Sequence, residues 1–545
     1  MSSAPLFSRT RVSCAVALLV LMAPAPIQAE APPALTVARR IDQLIDASLQ
    51  AAKVPASPRS DDAEFQRRVS LDLTGRLPPP DRAAAFLDST EPDKRARLID
   101  DLLASQDFGR HWARYWAELF VKRDGEQNKR LKSDEFRAWL AEQFNQGRGW
   151  DQIVTAMLTV DDTTASGFFF QANRLSGDRP SPAKVVGAAA NLFLGIQFQC
   201  AECHDHPFTD AWRRDDFWGL AAFFGRTRFA QVEVNKTRQV KITEEDPPPP
   251  DEKTKGRPMF KPPVNGVIDV PDPLDAKKIS GTVAAKFLGG DAPKMSEKGP
   301  HRPQFAAWLT APANPWFARA AVNRYWAALF ARGLVNPLDD MGPDSEPTHP
   351  ELLAYLAEEF RQSGHDLKHL LRAVCNSAAY QRSSRALPEN RDHDGYARMR
   401  VKFLHGEVLL KSLDQVLGVE VIVPPVKDKN KEKDRTVTIS NAELFDTAVY
   451  DDDPANYSYG APQLLRLMNA EIPRRSPAVI ERLLLNPGEP ADHVERLFLL
   501  TLSRRPSAEE KQELVKFVQK HPDPARGYAG VLWILLTGAE FVANH

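Results

Sequence analysis

A chain of 545 residues that sets 71 Lys and Arg against 72 Asp and Glu has a formal net charge of −1. That balance excludes functions built on a strongly basic surface, because nothing draws the protein toward nucleic acid or an anionic membrane. Hydrophobic residues make up 43% of the chain, enough for globular cores, and four cysteines are too few for a disulfide-built scaffold of this length.

In chain order, Arg9 and Arg11 precede an apolar stretch from Val12 to Met22, which Pro24 and Pro26 break before Ile27-Gln28-Ala29. This pattern predicts a secretory signal peptide over residues 1–29. The stretch is shorter than the ~20 residues that a membrane span needs, and Val185 to Gln199, the next apolar run, is interrupted by Asn191. The expectation is an exported protein of the periplasm or cell envelope, with no stable membrane span after signal cleavage and no nucleic-acid partner.

Helical spacing dominates the remainder. Asp93 to Ala104 follows Pro92, and Phe136, Trp139, Leu140 and Phe144 recur at three and four residues, as do Leu352, Leu353, Leu356 and Phe360. Ala183 to Leu194 predicts a helix that delivers the chain to a cysteine motif, and Asp215 to Phe224 a short aromatic helix after it. Between Gln231 and Arg302 the character changes. Val232-Glu233-Val234, Gln239-Val240-Lys241-Ile242 and Val267-Ile268-Asp269-Val270 alternate like strands around a proline-rich run from Pro247 to Pro263. A second polar insertion spans Asp428 to Asp434.

The chain also repeats itself. Arg114-Tyr115-Trp116-Ala117-Glu118-Leu119-Phe120 returns as Arg324-Tyr325-Trp326-Ala327-Ala328-Leu329-Phe330, and Ala138 to Phe144 is echoed by Ala354 to Phe360. A fainter echo links Arg68 to Thr74 with Arg496 to Thr501 and the helix opened by Ser507. The predicted fold is therefore mainly α, with two related helical lobes joined by a Pro-rich, partly β linker. Residues 30–228 form the first lobe, 229–302 the linker and 303–545 the second lobe.

The chemistry concentrates in Cys200-Ala201-Glu202-Cys203-His204. Two thiols at this spacing with a following imidazole match covalent haem c attachment, with Cys200 and Cys203 as thioether anchors and His204 as the proximal iron ligand. Two alternatives stay open: a zinc site that adds His206, and a Cys200–Cys203 disulfide. For a sixth iron ligand, Met259 is a weak candidate and His301 another. Trp212, Phe217, Trp218, Phe223 and Phe224 either wall a haem or fill a core. Cys375 sits in an apolar helical pattern and reads as a buried free thiol.

His365 and His369 have the spacing of one helix face, and Asp339, Asp340, Asp344 and Glu346 form an acidic loop before His349. No Gly-rich phosphate loop, nucleophile elbow or zinc-protease helix motif occurs, so no catalytic residue is assigned.

Several blocks resemble a known family. Phe65 to Pro79 resembles the opening of the planctomycete cytochrome-C-associated domain of unknown function, and Cys200 to Phe208 with Asp215 to Phe224 resembles its closing block. Asn314 to Arg324, His349 to Leu353 and Asp366 to Leu370 resemble its usual companion, also of unknown function, and Gly538 to His545 resembles that companion's last helix. The resemblance spans nearly the whole chain after the signal segment. Many relatives carry a separate cytochrome c module near the N-terminus, for which the ~35 residues between Ala29 and Phe65 leave no room on ordinary domain sizes. Cys200 to His204 is then the one expected haem site. The resulting reading is an exported c-type haem protein that transfers electrons to a redox partner in the envelope. The alternative is a non-enzymatic envelope binding or scaffold protein whose Cys motif holds structural zinc or a disulfide.

Overall fold

The computed structural model describes residues 33–121, 133–162, 165–174, 180–207, 209–234, 237–244, 266–275, 278–295, 299–393, 395–417 and 477–545. The predicted signal segment 1–29, Met259 with its proline-rich run, and the insertion at 428–434 lie outside these residues.

The fold is mainly α, as the spacing predicts. The chain opens with α1 (Ala34–Ala52), α2 (Asp62–Thr74), α3 (Pro80–Asp88), α4 (Lys94–Ala104) and α5 (Gln106–Val121). Next come α6 (Asp134–Asn145), α7 (Trp150–Thr159), α8 (Phe168–Ala172), α9 (Pro182–Ala189) and α10 (Arg214–Ala221). Beyond the linker lie α11 (Arg302–Leu309), α12 (Phe317–Phe330), α13 (Pro350–Gln362), α14 (Leu367–Asn376) and α15 (Gly406–Leu417). The last group is α16 (Pro477–Leu485), α17 (Pro490–Leu502), α18 (Ala508–Lys520), α19 (Pro524–Leu536) and α20 (Ala539–Val542). Several starts are chemically marked: Asp61 accepts from the Glu64 amide of α2, Asp366 from two amides of α14, and Ser507 and Glu510 close a capping box on α18.

The linker supplies two antiparallel hairpins. β1 (Thr227–Val234) pairs with β2 (Thr237–Glu244), and β3 (Val267–Pro271) pairs with β4 (Ile279–Ala284). The chain end departs from expectation. The helix predicted across 538–545 stops at Val542, and β6 (Ala543–Asn544) pairs instead with β5 (Lys402–Phe403).

Two apolar cores organise the helices, and they divide the chain differently from the linker. The first runs from Ala34 to Met399 and takes in both repeated segments. The second gathers α15 to α20 together with Leu71 and Leu77. Inside the first core the repeats face one another. Trp116 Nε1 of α5 donates to the Tyr325 hydroxyl of α12 at 2.8 Å, and the Tyr325 ring lies edge-on to Trp112 at 5.0 Å and to Trp116 at 6.0 Å. Such aromatic pairs contribute about 0.5–1.5 kcal/mol each beyond their burial.

Helix α2 joins the two cores. Phe65, Val69 and Leu73 face the first and Leu71 the second, so every residue from Phe65 to Thr74 is buried. Its polar residues are satisfied across both. Arg67 donates to the carbonyls of Thr501 at 3.0 Å, Phe541 at 2.8 Å and Ala543 at 3.3 Å. Burial brings its guanidinium down to about 10, still charged at neutral pH. Arg68 donates to the carbonyls of Tyr380, Arg382 and His545. Asp72 accepts from the Tyr380 hydroxyl at 2.8 Å, from Asn544 at 2.6 Å and from Lys402 Nζ at 2.6 Å. Lys402 Nζ also reaches the Ala328 and Leu329 carbonyls at the end of α12, where the helix dipole favours a cation.

Removing the carboxylate leaves a buried ammonium without its counter-ion. Asp72→Ala is expected to lower stability by about 3–5 kcal/mol, and Tyr325→Phe by about 1 kcal/mol for one lost hydrogen bond. Denaturant midpoints with unchanged slopes measure both; equal losses for the two variants would contradict this ranking.

His349 sets a pH dependence. It is buried, neither ring nitrogen has a hydrogen-bond partner, and burial, followed by nearby His393, pushes its imidazole below the ordinary value. As pH falls past about 6.5 the unfolded chain takes up a proton that the folded chain still refuses, so stability drops toward acid by up to about 1.4 kcal/mol per pH unit. Comparing His349→Gln with the parent between pH 7.5 and 5 isolates this share; the variant should lose less stability over that range.

Candidate functional site

The approach to the cysteine motif is rigid. α9 is buried along most of its length and widens into a π-helical turn, Ala190–Leu194, a feature that recurs at functional sites. Gly195 ends it at φ +67, where a Cβ would lie 3.2 Å from Ala320 Cβ and 3.3 Å from Met341 side-chain atoms. The Gly195 carbonyl accepts from the Met341 amide at 2.8 Å. Asp339 accepts from Asn191 and, at 2.9 Å, from Gln197. The predicted acidic loop is thus split: Asp339 is a buried brace for the segment that leads into the motif, while Asp340, Asp344 and Glu346 are exposed.

A 3-10 turn, Gln199–Glu202, then carries Cys200. Ala201 points inward at 0% exposure, whereas Cys200, Cys203 and His204 are exposed, and both cysteines are free thiols. The turn is closed by the Cys203 and His204 amides, which donate to the Cys200 carbonyl at 3.3 and 3.4 Å. Below it, the Glu202 carbonyl accepts from Trp218 Nε1 at 3.0 Å and Arg214 Nε at 3.3 Å. Asp205 accepts from the Arg214 amide at 2.9 Å and so caps α10. Arg214 also binds Ser280 Oγ at 3.1 Å and the Pro271 carbonyl, which fastens the β3–β4 hairpin beside the motif. The sequence pattern singles out neither Asp205 nor Arg214; Asp205 sits nine residues before the amide it caps, beyond any local capping pattern.

His204 has one fixed nitrogen. Its Nδ1 lies 2.6 Å from the Asp205 carbonyl. A carbonyl only accepts, so Nδ1 is the donor, which in the neutral ring leaves the lone pair on Nε2, the form a metal-ligating imidazole requires.

The other candidates separate from this centre. His206 turns Nε2 to the Gln197 carbonyl at 3.2 Å and packs edge-on against Trp212 at 5.2 Å. It also opposes the upward shift of the Asp340 carboxyl, which arises from desolvation and then from Asp339. Among the described residues no group of three or more His, Cys, Asp and Glu converges on a metal position, so the zinc set of Cys200, Cys203, His204 and His206 is not assembled. Cys200 and Cys203 are not joined as a disulfide either. His301 is 0% exposed, with Nε2 3.3 Å from Arg226, and does not line the motif's exposed face.

The aromatic residues fill the core. Phe217 packs on Phe198, Phe223 on Phe287 and Phe224 on Phe305. His365 and His369 do not share a helix: His365 precedes α14 in the left-handed region at φ +57, and its carbonyl accepts from the Trp150 amide at 3.0 Å. Cys375 is 0% exposed, and burial pushes its thiol well above the usual range.

Accessibility separates the thiols. In protein without residues 1–29, a disulfide reagent should react fast with two thiols per chain and reach the third, Cys375, only after denaturation. Cys200→Ala should remove one fast equivalent; a single fast thiol in the parent would contradict the exposed pair.

Residues 40–229 match the family model PSCyt2, a protein of unknown function (DUF1549), and residues 301–434 match PSD1, a protein of unknown function (DUF1553). No curated protein and no solved structure matches the chain. The second match ends before α16, so α16 to α20, most of the second core, lie beyond both. The chain thus has a two-domain arrangement, a PSCyt2 domain followed by a PSD1 domain.

Proposed function

We propose that the protein is an exported c-type haem protein that passes electrons to a partner in the cell envelope. Cys200 and Cys203 would hold the haem through thioethers, and His204 would serve as proximal ligand. The observation that carries this reading is His204: its Nδ1 is occupied by the Asp205 carbonyl at 2.6 Å, and Nε2 is left as the ligating nitrogen. The two free, exposed thiols on the same turn add the attachment chemistry, in which each S–H adds across a vinyl group. When bound, haem supplies one-electron chemistry.

The chain's own part is positioning. Trp218 and Arg214 hold the Glu202 carbonyl, and both cysteines of the turn are exposed. Asp205 fixes the imidazole with its carbonyl and α10 with its carboxylate. The core aromatics beneath are already packed against protein, so they support the turn and do not wall the haem. Export fits the signal pattern of residues 1–29 and brings the chain to a compartment where haem is attached. The scaffold alternative has less support, since both thiols are free and His206 is committed to Gln197.

The test is production of the full chain in a host with a cytochrome c maturation system. Haem absorbance should stay with the polypeptide after denaturation, and Cys200→Ser with Cys203→Ser should abolish it while helical circular dichroism is retained. Well-folded but colourless parent protein would overturn the proposal.

A further inference from the structure

A second feature shares no residue with the cysteine motif. A cavity of about 630 Å3 opens between α5, α6 and α15, at the seam of the two cores. Its size falls within the ~300–1,000 Å3 of small-molecule sites, and six charged side chains line it. All three walls contribute cations: Arg110 and Arg114 from α5, Arg137 from α6 and Lys411 from α15. Two carboxylates, Glu142 and Glu407, line it with them.

One carboxylate of the lining serves two of the cations. Glu407 is shared by Lys411 Nζ at 2.9 Å and Arg137 at 3.3 Å, and Glu142 accepts from Gln146 at 2.9 Å. Behind the lining, Asp107 is shared by Arg110 and Arg76, and Glu118 lies against Arg114 and His405. Arg137 meets Glu407 through one long bond, which leaves terminal guanidinium donors for another oxyanion.

The repeat points the same way. Arg324, the counterpart of Arg114, lies over the Trp116 ring and donates to the Asn191 carbonyl at 3.1 Å inside the core. Ala328 stands where the first copy has Glu118. In the first copy Arg114 instead borders the cavity, 4% exposed, flanked by Glu118 at 3.2 Å and by His405 Nδ1 at 3.1 Å and His111 Nδ1 at 3.5 Å. The arginine of the first copy borders the cavity, whereas its counterpart is spent on a core contact.

We infer that this cleft binds a small organic or inorganic polyanion through carboxylate or phosphate oxygens, with Arg137 and Lys411 as donors and Arg114 as the buried cation. Cations on three walls match a ligand bearing anionic groups on more than one side. The inference is independent of the haem reading.

Calorimetric titration of the full chain with citrate and, separately, with pyrophosphate at fixed ionic strength tests it. Saturable binding of at least one probe is expected, weakened by about tenfold or more in Arg137→Gln and in Lys411→Gln. Arg97→Gln, at an exposed pair with Asp93, should bind like the parent. Citrate alone binding identifies carboxylate as the ligand chemistry, and pyrophosphate alone identifies phosphate. No saturable heat with either probe, or unchanged affinity in both cleft variants, overturns the inference.

Discussion

Burying charge is the most expensive act in this structure, and α2 buries three charges within six residues. Arg67, Arg68 and Asp72 are each buried, yet each is met by carbonyls or partner side chains from distant parts of the chain. The cost of desolvating them is offset only if all those parts are present together, since a buried charge that loses its partner is worth several kcal/mol against folding. Arg67 requires α17 and the chain end, Arg68 requires the segment after α14, and Asp72 requires β5 and β6. The polar bonds of α2 therefore reach into both cores, with apolar packing completing each side.

Much of the helical content was legible beforehand, and for a physical reason. Phe136 to Phe144 and Leu352 to Phe360 show a 3.6 period because each buries one face only. α2 has a stripe too, in Phe65, Val69 and Leu73, yet its polar residues are buried as well, and local pattern does not mark that. The ending 543–544 was misread as helix because its pairing with Lys402 and Phe403 is set by tertiary contact, which local pattern does not encode. Likewise, the repeats were visible as residue identity, but that they face each other through Trp116 and Tyr325 was not.

At the cysteine motif, the residue types and spacing were legible and the supports were not. The sequence shows two thiols and an imidazole; the fold adds that Ala201 is the inward residue and that both sulfurs face solvent. It adds that Asp205 selects the His204 tautomer and that Arg214 ties the turn to a hairpin nearly sixty residues away along the chain. The aromatic run after the motif, ambiguous by composition, belongs to the core. His206 and His301, eligible by residue type, are committed to Gln197 and Arg226.

The account's central claim is that Cys200, Cys203 and His204 form a haem attachment turn. The most direct measurement is mass spectrometry of the peptide that contains Cys200 to His204, taken from protein exported by a host with a cytochrome c maturation system. The account predicts that this peptide carries one haem joined through both sulfurs. Recovery of the same peptide with two unmodified thiols, or with a Cys200–Cys203 disulfide, would contradict it.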